Sequence, residues 1–408
     1  MSVNLKRPNK ENILSIPGIN LSTAESGLKY NNRKDLALIA LDEGAVVAGV
    51  FTKNQFIAAP VVIAKSNLHI GPHKRAFIIN TGSANAGTGK KGLEDAKEIC
   101  NVLASSLKID SNEILPFSTG VIMAYLPTDK IKESIPLLVD NLNADNWLDA
   151  AEAIMTTDTI PKAVSTSGVI DDTKILVTGI SKGSGMINPN MATMLAFIGT
   201  NANINAEMLQ ELIKEVTEKT FNKISVDGET STNDSFIIVA TNKADHMQIT
   251  SKNKHYEILK DLLMDNAMEL SQAIIRDGEG ATKFIEIVVE QGENEKDCDE
   301  IAKVIANSAL VKTAFFASDP NLGRILAALG NAQIEGLDPS LINIFLNDLL
   351  FAKNGSIASD YTELKGSEEM NKNEICLKIQ MGRGLATSTM WTTDLSYDYV
   401  KINSEYRT

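Results

Sequence analysis

Short apolar runs bounded by Gly and Asn constrain the fold of this 408-residue chain more than any other feature. Runs rich in β-branched residues predict buried strands, and here they occur at 36–41, 45–51, 60–64, 75–80, 174–180, 194–199 and 235–241. Amphipathic patterns predict helices near 93–107, 128–139 (with Thr128 as N-cap), 146–155, 205–221 and 255–275. This mixed order predicts an α/β protein, built as an α+β layered sandwich.

A second set of strands and helices follows the Gly-rich segment RDGEGATK. It begins with the apolar run FIEIVVEQ at 284–291 and continues with a predicted helix near 297–312 and strands near 341–347 and 374–381. A chain of this length is expected to form two or three domains. We therefore predict a first domain over 1–283 and a smaller C-terminal α/β domain over 284–408.

Charge and cysteine content exclude several classes of protein. The chain has 39 Lys and Arg against 52 Asp and Glu, a net charge of −13, which argues against a general nucleic-acid binder. No apolar stretch approaches the ~20 residues needed to span a bilayer. Cys100, Cys298 and Cys376 are far apart, so we expect no disulfide framework, no metal site and a cytoplasmic location.

The most unusual segment is ISKGSGMINPNMATMLAFIGTNA, at 180–202. Its first half is rich in Gly and Asn, which permit backbone angles that other residues avoid. Its second half is an apolar strand that begins at Thr193. A loop that can be held in strain and ends at a hydroxyl residue is what self-cleavage requires. A simple turn before a strand remains the other interpretation. A phosphate-binding loop is disfavoured because the Gly-Lys-Ser/Thr ending is absent.

Self-cleavage at this loop would proceed by an N-to-O acyl shift. The Thr193 hydroxyl would attack the Ala192 carbonyl, and hydrolysis of the ester would free the α-amine of Thr193. An α-amine has an ordinary pKa of about 7.7–8.0, so it can serve as the base for its own hydroxyl. No histidine is required.

The segment KGSGMINPNMATMLAF at 182–197 resembles the cleavage-site motif of the ornithine acetyltransferase (glutamate N-acetyltransferase) family of arginine biosynthesis. Seven further blocks resemble that family in the expected order and extend the likeness over essentially the whole chain: 80–96, 118–127, 156–162, 226–235, 276–284, 318–330 and 398–408. The departures are Gly87, Met123, Leu322 and the pair Thr392–Thr393, and none of them removes a presumed catalytic group.

The resemblance implies a role for particular residues. Thr193 would be the nucleophile, and Thr119 with Gly120 would form the oxyanion hole. Substrate contacts would come from Thr159, Lys182, Thr193, Glu279, Asn403 and Thr408. Asp227, Asn233 and Asp234 are polar loop residues that we place outside this main set.

The resemblance also implies an activity and an assembly. An amino-terminal-nucleophile-like domain would cleave at Ala192–Thr193 into an α chain (1–192) and a β chain (from 193). The enzyme would then move acetyl from N-acetyl-L-ornithine to L-glutamate by a ping-pong mechanism. No metal or redox cofactor is implied, although some members of the family accept acetyl-CoA as donor. The family's usual assembly is a heterotetramer of two α and two β chains.

Two other classes of function remain open at this point. The same broad fold and nucleophile could support a self-processing amidase or aminopeptidase, which would hydrolyse peptides without an amino-acid acceptor. A non-enzymatic amino-acid-binding protein would remain uncleaved and would still bind ornithine or glutamate.

Overall fold

The computed structural model describes residues 2–29, 31–188 and 194–405. Ala192 and Thr193, at the predicted cleavage site, and Thr408, a predicted substrate contact, lie outside these residues. No helix in the described ranges is long and apolar enough to cross a membrane.

Strands and helices alternate along the chain, as the mixed pattern predicts. In the described residues the strands are β1 (Ile19–Ala24), β2 (Leu36–Leu41), β3 (Val46–Phe51), β4 (Ala76–Asn80), β5 (Ile114–Ser118), β6 (Lys162–Ile170), β7 (Thr173–Lys182), β8 (Leu195–Thr200), β9 (Ile224–Ser225), β10 (Ser235–Ala240), β11 (Phe284–Gly292), β12 (Asn343–Leu346), β13 (Leu349–Lys353), β14 (Ser356–Ile357), β15 (Glu374–Gln380) and β16 (Ala386–Thr393). The α-helices are α1 (Ala59–Ile70), α2 (Gly89–Leu107), α3 (Thr128–Asp140), α4 (Trp147–Ala153), α5 (Ala206–Lys219), α6 (Lys254–Arg276), α7 (Glu295–Ala306), α8 (Ala309–Phe316), α9 (Leu322–Gly330), α10 (Glu363–Met370) and α11 (Tyr397–Ser404).

The strands form three sheets. Their strand orders are β1-β2-β4-β5, β3-β10-β8-β7-β6 and β14-β13-β12-β15-β11-β16-β9. In the five-stranded sheet, β8 is antiparallel to β7 and parallel to β10. The last residues of β7 and the first residues of β8 and β10 therefore lie at the same end of the sheet.

The first two sheets pack face to face between two helical layers. In β2, Leu36 and Leu38 face a core shared with α2 and α3, while Ala37 and Ile39 face the second sheet. On β10, Ile237 and Val239 face the first sheet, and Phe236 and Ile238 face a core shared with α5 and α6. This two-residue alternation gives each strand one face toward a helical layer and one toward the other sheet. The predicted layered α+β sandwich is therefore confirmed, with the layers ordered helix, sheet, sheet, helix.

The third sheet has its own core against α7, α8 and α9. Six of its strands in the described residues fall within 284–393, but β9 joins it from 224–225 by pairing with β16. The sheet thus reaches across the predicted boundary at residue 283, and the two-domain division remains a prediction.

Several predicted elements are wrong in detail. The run at 60–64 lies inside α1, where Pro60 occupies the first turn and Val61 and Ala64 are buried at helical spacing. Thr128 is not an N-cap, because it is the first residue of α3 and the cap position is Pro127. The helix predicted near 297–312 is two helices, the second of which is capped by the Ser308 hydroxyl.

Candidate active site

A cavity of about 240 Å³ opens at the edge where the first two sheets meet. Its walls include the turn after β5, the end of β7, the residues just before β8 and β10, the loop after α6, and α11. Five of the predicted site residues line this cavity, namely Thr119, Gly120, Lys182, Glu279 and Asn403. The fold thus brings together side chains that lie up to 284 positions apart in the sequence.

Thr119 offers the cavity its hydroxyl rather than its backbone. The Thr119 N–H donates to the Asn80 carbonyl at 3.0 Å, which continues the pairing of β4 with β5. The Thr119 hydroxyl accepts a hydrogen bond from Lys182 Nζ at 3.2 Å. Because that hydroxyl acts as an acceptor here, its own proton is left to donate to a ligand in the cavity.

Gly120 is required by its backbone conformation and by its neighbours. Its φ is +131°, a region that favours glycine, and a Cβ at this position would lie 2.4 Å from the carbonyl carbon of Gly82. The next N–H, of Val121, donates to the Gly82 carbonyl at 3.3 Å. The chain therefore turns tightly against 82–83 and presents backbone, rather than a side chain, to the cavity.

Asn233 holds this turn against the five-stranded sheet. Its Nδ2 donates to the carbonyls of Ser118 at 2.9 Å and Ala84 at 2.6 Å. Asn233 lies two residues before β10, so it ties the end of β5 in one sheet to the start of β10 in the other. Asn233 is not among the main set of predicted site residues, because nothing in the polar segment 226–235 distinguishes a buried amide from an exposed one.

Lys182 supplies a cation to the cavity from the end of β7. Burial lowers the pKa of Lys182; the charge of Asp158 acts in the opposite direction, and that of Lys162 adds to the lowering. The ammonium is thus only partly compensated by the protein. It can pair with a carboxylate that a ligand brings into the cavity.

Behind Lys182 lies a buried ion cluster formed by Asp158, Lys162 and Asp277. Lys162 Nζ is 2.7 Å from Asp158 Oδ1 and 2.7 Å from Asp277 Oδ2, and its side chain is 0% exposed. Burial raises the pKa of Asp158, but the charges of Lys162 and Lys182 and the Gly183 N–H outweigh this and hold it below its usual range. The Gly183 N–H donates to Asp158 at 2.8 Å, so the cluster fixes the end of β7.

Thr159 does not line this cavity. Its hydroxyl donates to Asp277, and its N–H donates to the same carboxylate at 2.9 Å. Thr156 and Thr157 line the cavity instead, and the Thr157 hydroxyl lies 2.7 Å from that of Ser184. The structure therefore places two threonines of this segment at the cavity, and both precede Thr159 in the chain.

Glu279 and Asn403 contact each other in the wall of the cavity. Asn403 Nδ2 donates to Glu279 Oε2 at 2.7 Å, which joins α11 near the carboxyl end to the loop after α6. The Glu279 N–H donates to the Ser184 carbonyl at 2.7 Å. A Cβ on Gly185 would lie 2.3 Å from Glu279 Oε2, so only glycine allows this carboxylate to pack so closely.

Asp227 anchors the chain on the amino-terminal side of the predicted cleavage site. Its carboxylate accepts from the N–H groups of Met186 at 2.6 Å and Ile187 at 3.0 Å, and from the Tyr399 hydroxyl at 3.1 Å. Asn188 Nδ2 donates to the Gly228 carbonyl at 2.7 Å. Residues 186–188 are thus fixed to 227–228 and to α11. Like Asn233, Asp227 stood outside the main set of predicted site residues.

The layered fold and a cavity that presents an ammonium, a carboxylate and a hydroxyl define an α/β enzyme with a site for a small polar substrate. The protein belongs to the ArgJ family, whose model matches residues 20–408.

Similar proteins include the arginine biosynthesis bifunctional proteins ArgJ of two bacteria. That of Neisseria meningitidis serogroup A is 49% identical over 409 residues, and that of Colwellia psychrerythraea is 48% identical over 424 residues, each over the full length of both chains. A solved arginine biosynthesis bifunctional protein argJ from Bacillus halodurans is 33% identical, with a TM-score of 0.49, and covers 51% of this chain and 97% of that chain. A solved ornithine acetyltransferase complexed with ornithine, from Mycobacterium tuberculosis, is 29% identical, with a TM-score of 0.40, and covers 46% of this chain and 99% of that chain.

The ion cluster leads to a prediction about stability. Replacing Lys162 with Met removes the cation that pairs with both buried carboxylates. We expect the free energy of unfolding, measured by urea denaturation, to fall by about 3–5 kcal/mol. Lys90→Met removes the same charge from a side chain that is 90% exposed, and should change it by less than about 0.5 kcal/mol. Equal effects of the two substitutions would contradict the role given to the cluster.

Proposed function

We propose that this enzyme transfers acetyl from N-acetyl-L-ornithine to L-glutamate in arginine biosynthesis, through an acetyl-Thr193 intermediate. Membership of the ArgJ family and full-length similarity to arginine biosynthesis bifunctional proteins support the proposal. The observation that carries it is the cavity, where Thr119, Lys182 and Glu279 converge beside Met194, the residue that follows Thr193 in the chain.

The proposed processing step cuts Ala192–Thr193 and leaves an α chain (1–192) and a β chain (193–408). The two products would stay associated because the cut separates neighbouring strands of one sheet. β7 belongs to the α chain and β8 to the β chain, and they pair from Val177↔Thr200 to Lys182↔Leu195. β3 and β10 form a second antiparallel pair between the two chains.

In the proposed transfer, the α-amine of Thr193 takes the proton of its own hydroxyl as the hydroxyl oxygen attacks the acetyl carbonyl. The Thr119 hydroxyl and the Gly120 N–H donate to the oxyanion that forms. Ornithine leaves, and glutamate enters the same cavity to accept the acetyl group. Donor and acceptor share an amino-acid head, so one set of polar contacts can serve both.

We assign the head-group contacts by charge. Lys182 pairs with the α-carboxylate, and Glu279 accepts from a substrate nitrogen. Asn403 orients Glu279 through the 2.7 Å hydrogen bond. Thr159 and Thr408 remain proposed contacts from the family resemblance, and Thr156 and Thr157 are the threonines of that segment that line the cavity.

The finer points of assembly and location are also proposals. We expect a heterotetramer of two α and two β chains in the cytoplasm, without metal or redox cofactor. Light scattering of the processed enzyme would measure its mass, and cell fractionation its location. A dimeric or monomeric mass would contradict the tetramer.

Replacing Thr193 with Ala should abolish both cleavage and transfer, because the hydroxyl is lost. Denaturing gels and intact mass would show one chain of 408 residues in place of two fragments. Thr193→Ser keeps a hydroxyl and should still be cleaved. A Thr193→Ala protein that still cleaved and still formed acetylglutamate would refute the proposal, and peptide hydrolysis without an acceptor would favour an amidase.

Replacing Thr119 with Ala should lower kcat by about 10²–10³-fold with little change in KM, because the lost hydroxyl acts on the transition state. Steady-state rates of acetylglutamate formation would measure the effect. Thr173→Ala is the matched control. Thr173 is the first residue of β7, whereas Lys182 at the other end lines the cavity, and the Thr173 hydroxyl donates to the Asp245 carbonyl. A higher KM at unchanged kcat would mean that Thr119 only binds substrate.

We also propose acetyl-CoA as a second donor, in line with the word "bifunctional" in the names of the relatives. With acetyl-CoA and glutamate alone, the processed enzyme should form acetylglutamate and release free thiol, which a thiol reagent detects. The same mixture with the Thr193→Ala protein is the control. Product from acetylornithine but not from acetyl-CoA would restrict the enzyme to one donor.

A further inference from the structure

Asp234 lies at the point where the proposed β chain begins. It immediately precedes β10, which runs parallel to β8 with Ser235 opposite Leu195. The Ser235 N–H donates to the Met194 carbonyl at 2.9 Å, which places Asp234 beside Met194 at the edge of the sheet. Both residues line the cavity.

The carboxyl group of Asp234 is buried without a full set of partners. The residue is 3% exposed, and its Oδ2 has no hydrogen-bond partner among the described residues. Burial raises the pKa of Asp234 well above its usual value, although hydrogen bonds from Ser231 and the charge of Lys182 act against this. A buried polar atom without a partner is costly, so Oδ2 calls for a donor that the described residues do not provide.

Among the described residues, the charged groups around Asp234 do not donate a hydrogen bond to its Oδ2. Lys182 on β7 and Glu279 after α6 line the same cavity, and Lys182 already donates to Thr119. Just after β3, the Thr52 N–H donates at 3.0 Å to the backbone carbonyl of Asp234, not to its carboxyl group. Just before β8, the neighbour is the apolar side chain of Met194.

We propose that Asp234 is a positioning residue that holds the α-amine created when the chain is cut before Thr193. This inference rests on the proposed function. The new amine belongs to the residue that precedes Met194 in the chain. Asp234 is beside Met194 across the ladder, and its free Oδ2 is the acceptor at this strand end. An N–H of the amine supplies the donor that Oδ2 lacks.

The carboxylate then supports each proton transfer. Once the chain is cut, Asp234 acts as a carboxylate beside the new amine. The carboxylate accepts one N–H of the amine and so directs the lone pair to the Thr193 hydroxyl. As the hydroxyl oxygen bonds to the acetyl carbon, its proton moves to the amine and the carbonyl electron pair moves onto oxygen. The ammonium next gives that proton to the leaving nitrogen as the C–N bond breaks, so Asp234 neither gains nor loses a proton during transfer.

The test is the pH dependence of the first half-reaction in Asp234→Asn. Single-turnover release of ornithine from acetylornithine, without glutamate, excludes the acceptor's amine from the titration. A carboxylate partner favours the ammonium form and raises the pKa of the amine. We therefore expect Asp234→Asn to be cleaved, to release ornithine about 10²-fold more slowly, and to show an acid limb about one unit lower in pH. Asp95→Asn, which changes a carboxylate on α2 that pairs with Lys91 at 2.7 Å, should match the parent.

The remaining outcomes contradict either the role proposed for Asp234 or the proposed function on which that role rests. An Asp234→Asn protein that stays uncleaved would mean that the residue acts in processing, and an unshifted acid limb would mean that it does not touch the amine. If Asp234→Asn is insoluble, Asp234→Glu decides, because the retained carboxylate should keep the acid limb at the parent position. A parent protein that does not cleave, or releases no ornithine, would instead refute the proposed function.

Discussion

The buried ion cluster of Asp158, Lys162 and Asp277 is the interaction on which the cavity depends. Burying three charges is costly, and their attraction offsets that cost only when the remaining lone pairs are also satisfied. Here the Thr156 and Gly183 N–H groups donate to Asp158, and the Thr159 and Ile160 N–H groups donate to Asp277. The cluster thereby joins the loop 156–160, the start of β6, the end of β7 and the end of α6. Thr157, Lys182 and Glu279 each lie within two residues of a chain segment that it fixes.

The strands that sequence predicted well are those whose apolar pattern comes from burial between layers. β2, β4, β8 and β10 each lie within a residue or two of their predicted bounds, because both faces of these strands are covered. The apolar pattern gives the wrong element where the composition of a segment does not match its place in the fold. The run at 60–64 has the composition of a strand but forms α1, where Pro60 starts the helix. β16 was missed because it is rich in Thr and Ser, yet it is largely buried between β11 and β9.

Residues of the cavity are predictable from the sequence where a family motif includes them, and not where only the fold buries them. The family resemblance identified Thr119, Gly120, Lys182, Glu279 and Asn403, which the structure brings to one cavity. In the segment TTDT, composition alone cannot say which hydroxyl faces the cavity, because that choice depends on Asp277, more than a hundred residues later. Asn233 and Asp234 carry no local signal either. Their places at the cavity come from the pairing of β8 with β10, which is a property of the folded sheet.

The cavity shows how burial sets the chemistry of groups that share it. The same loss of water lowers the pKa of Lys182 and raises that of Asp234, because in each case the charged form is disfavoured. Although the chain has a net charge of −13, the carboxylates near Lys182 compensate its charge only in part. An amino acid brings both an ammonium and a carboxylate, so it can complete the charges of Glu279 and Lys182 at once. In the proposed transfer the two substrates share an α-carboxylate, with which Lys182 can pair, and an α-nitrogen, which carries the acetyl group in the donor and accepts it in the acceptor.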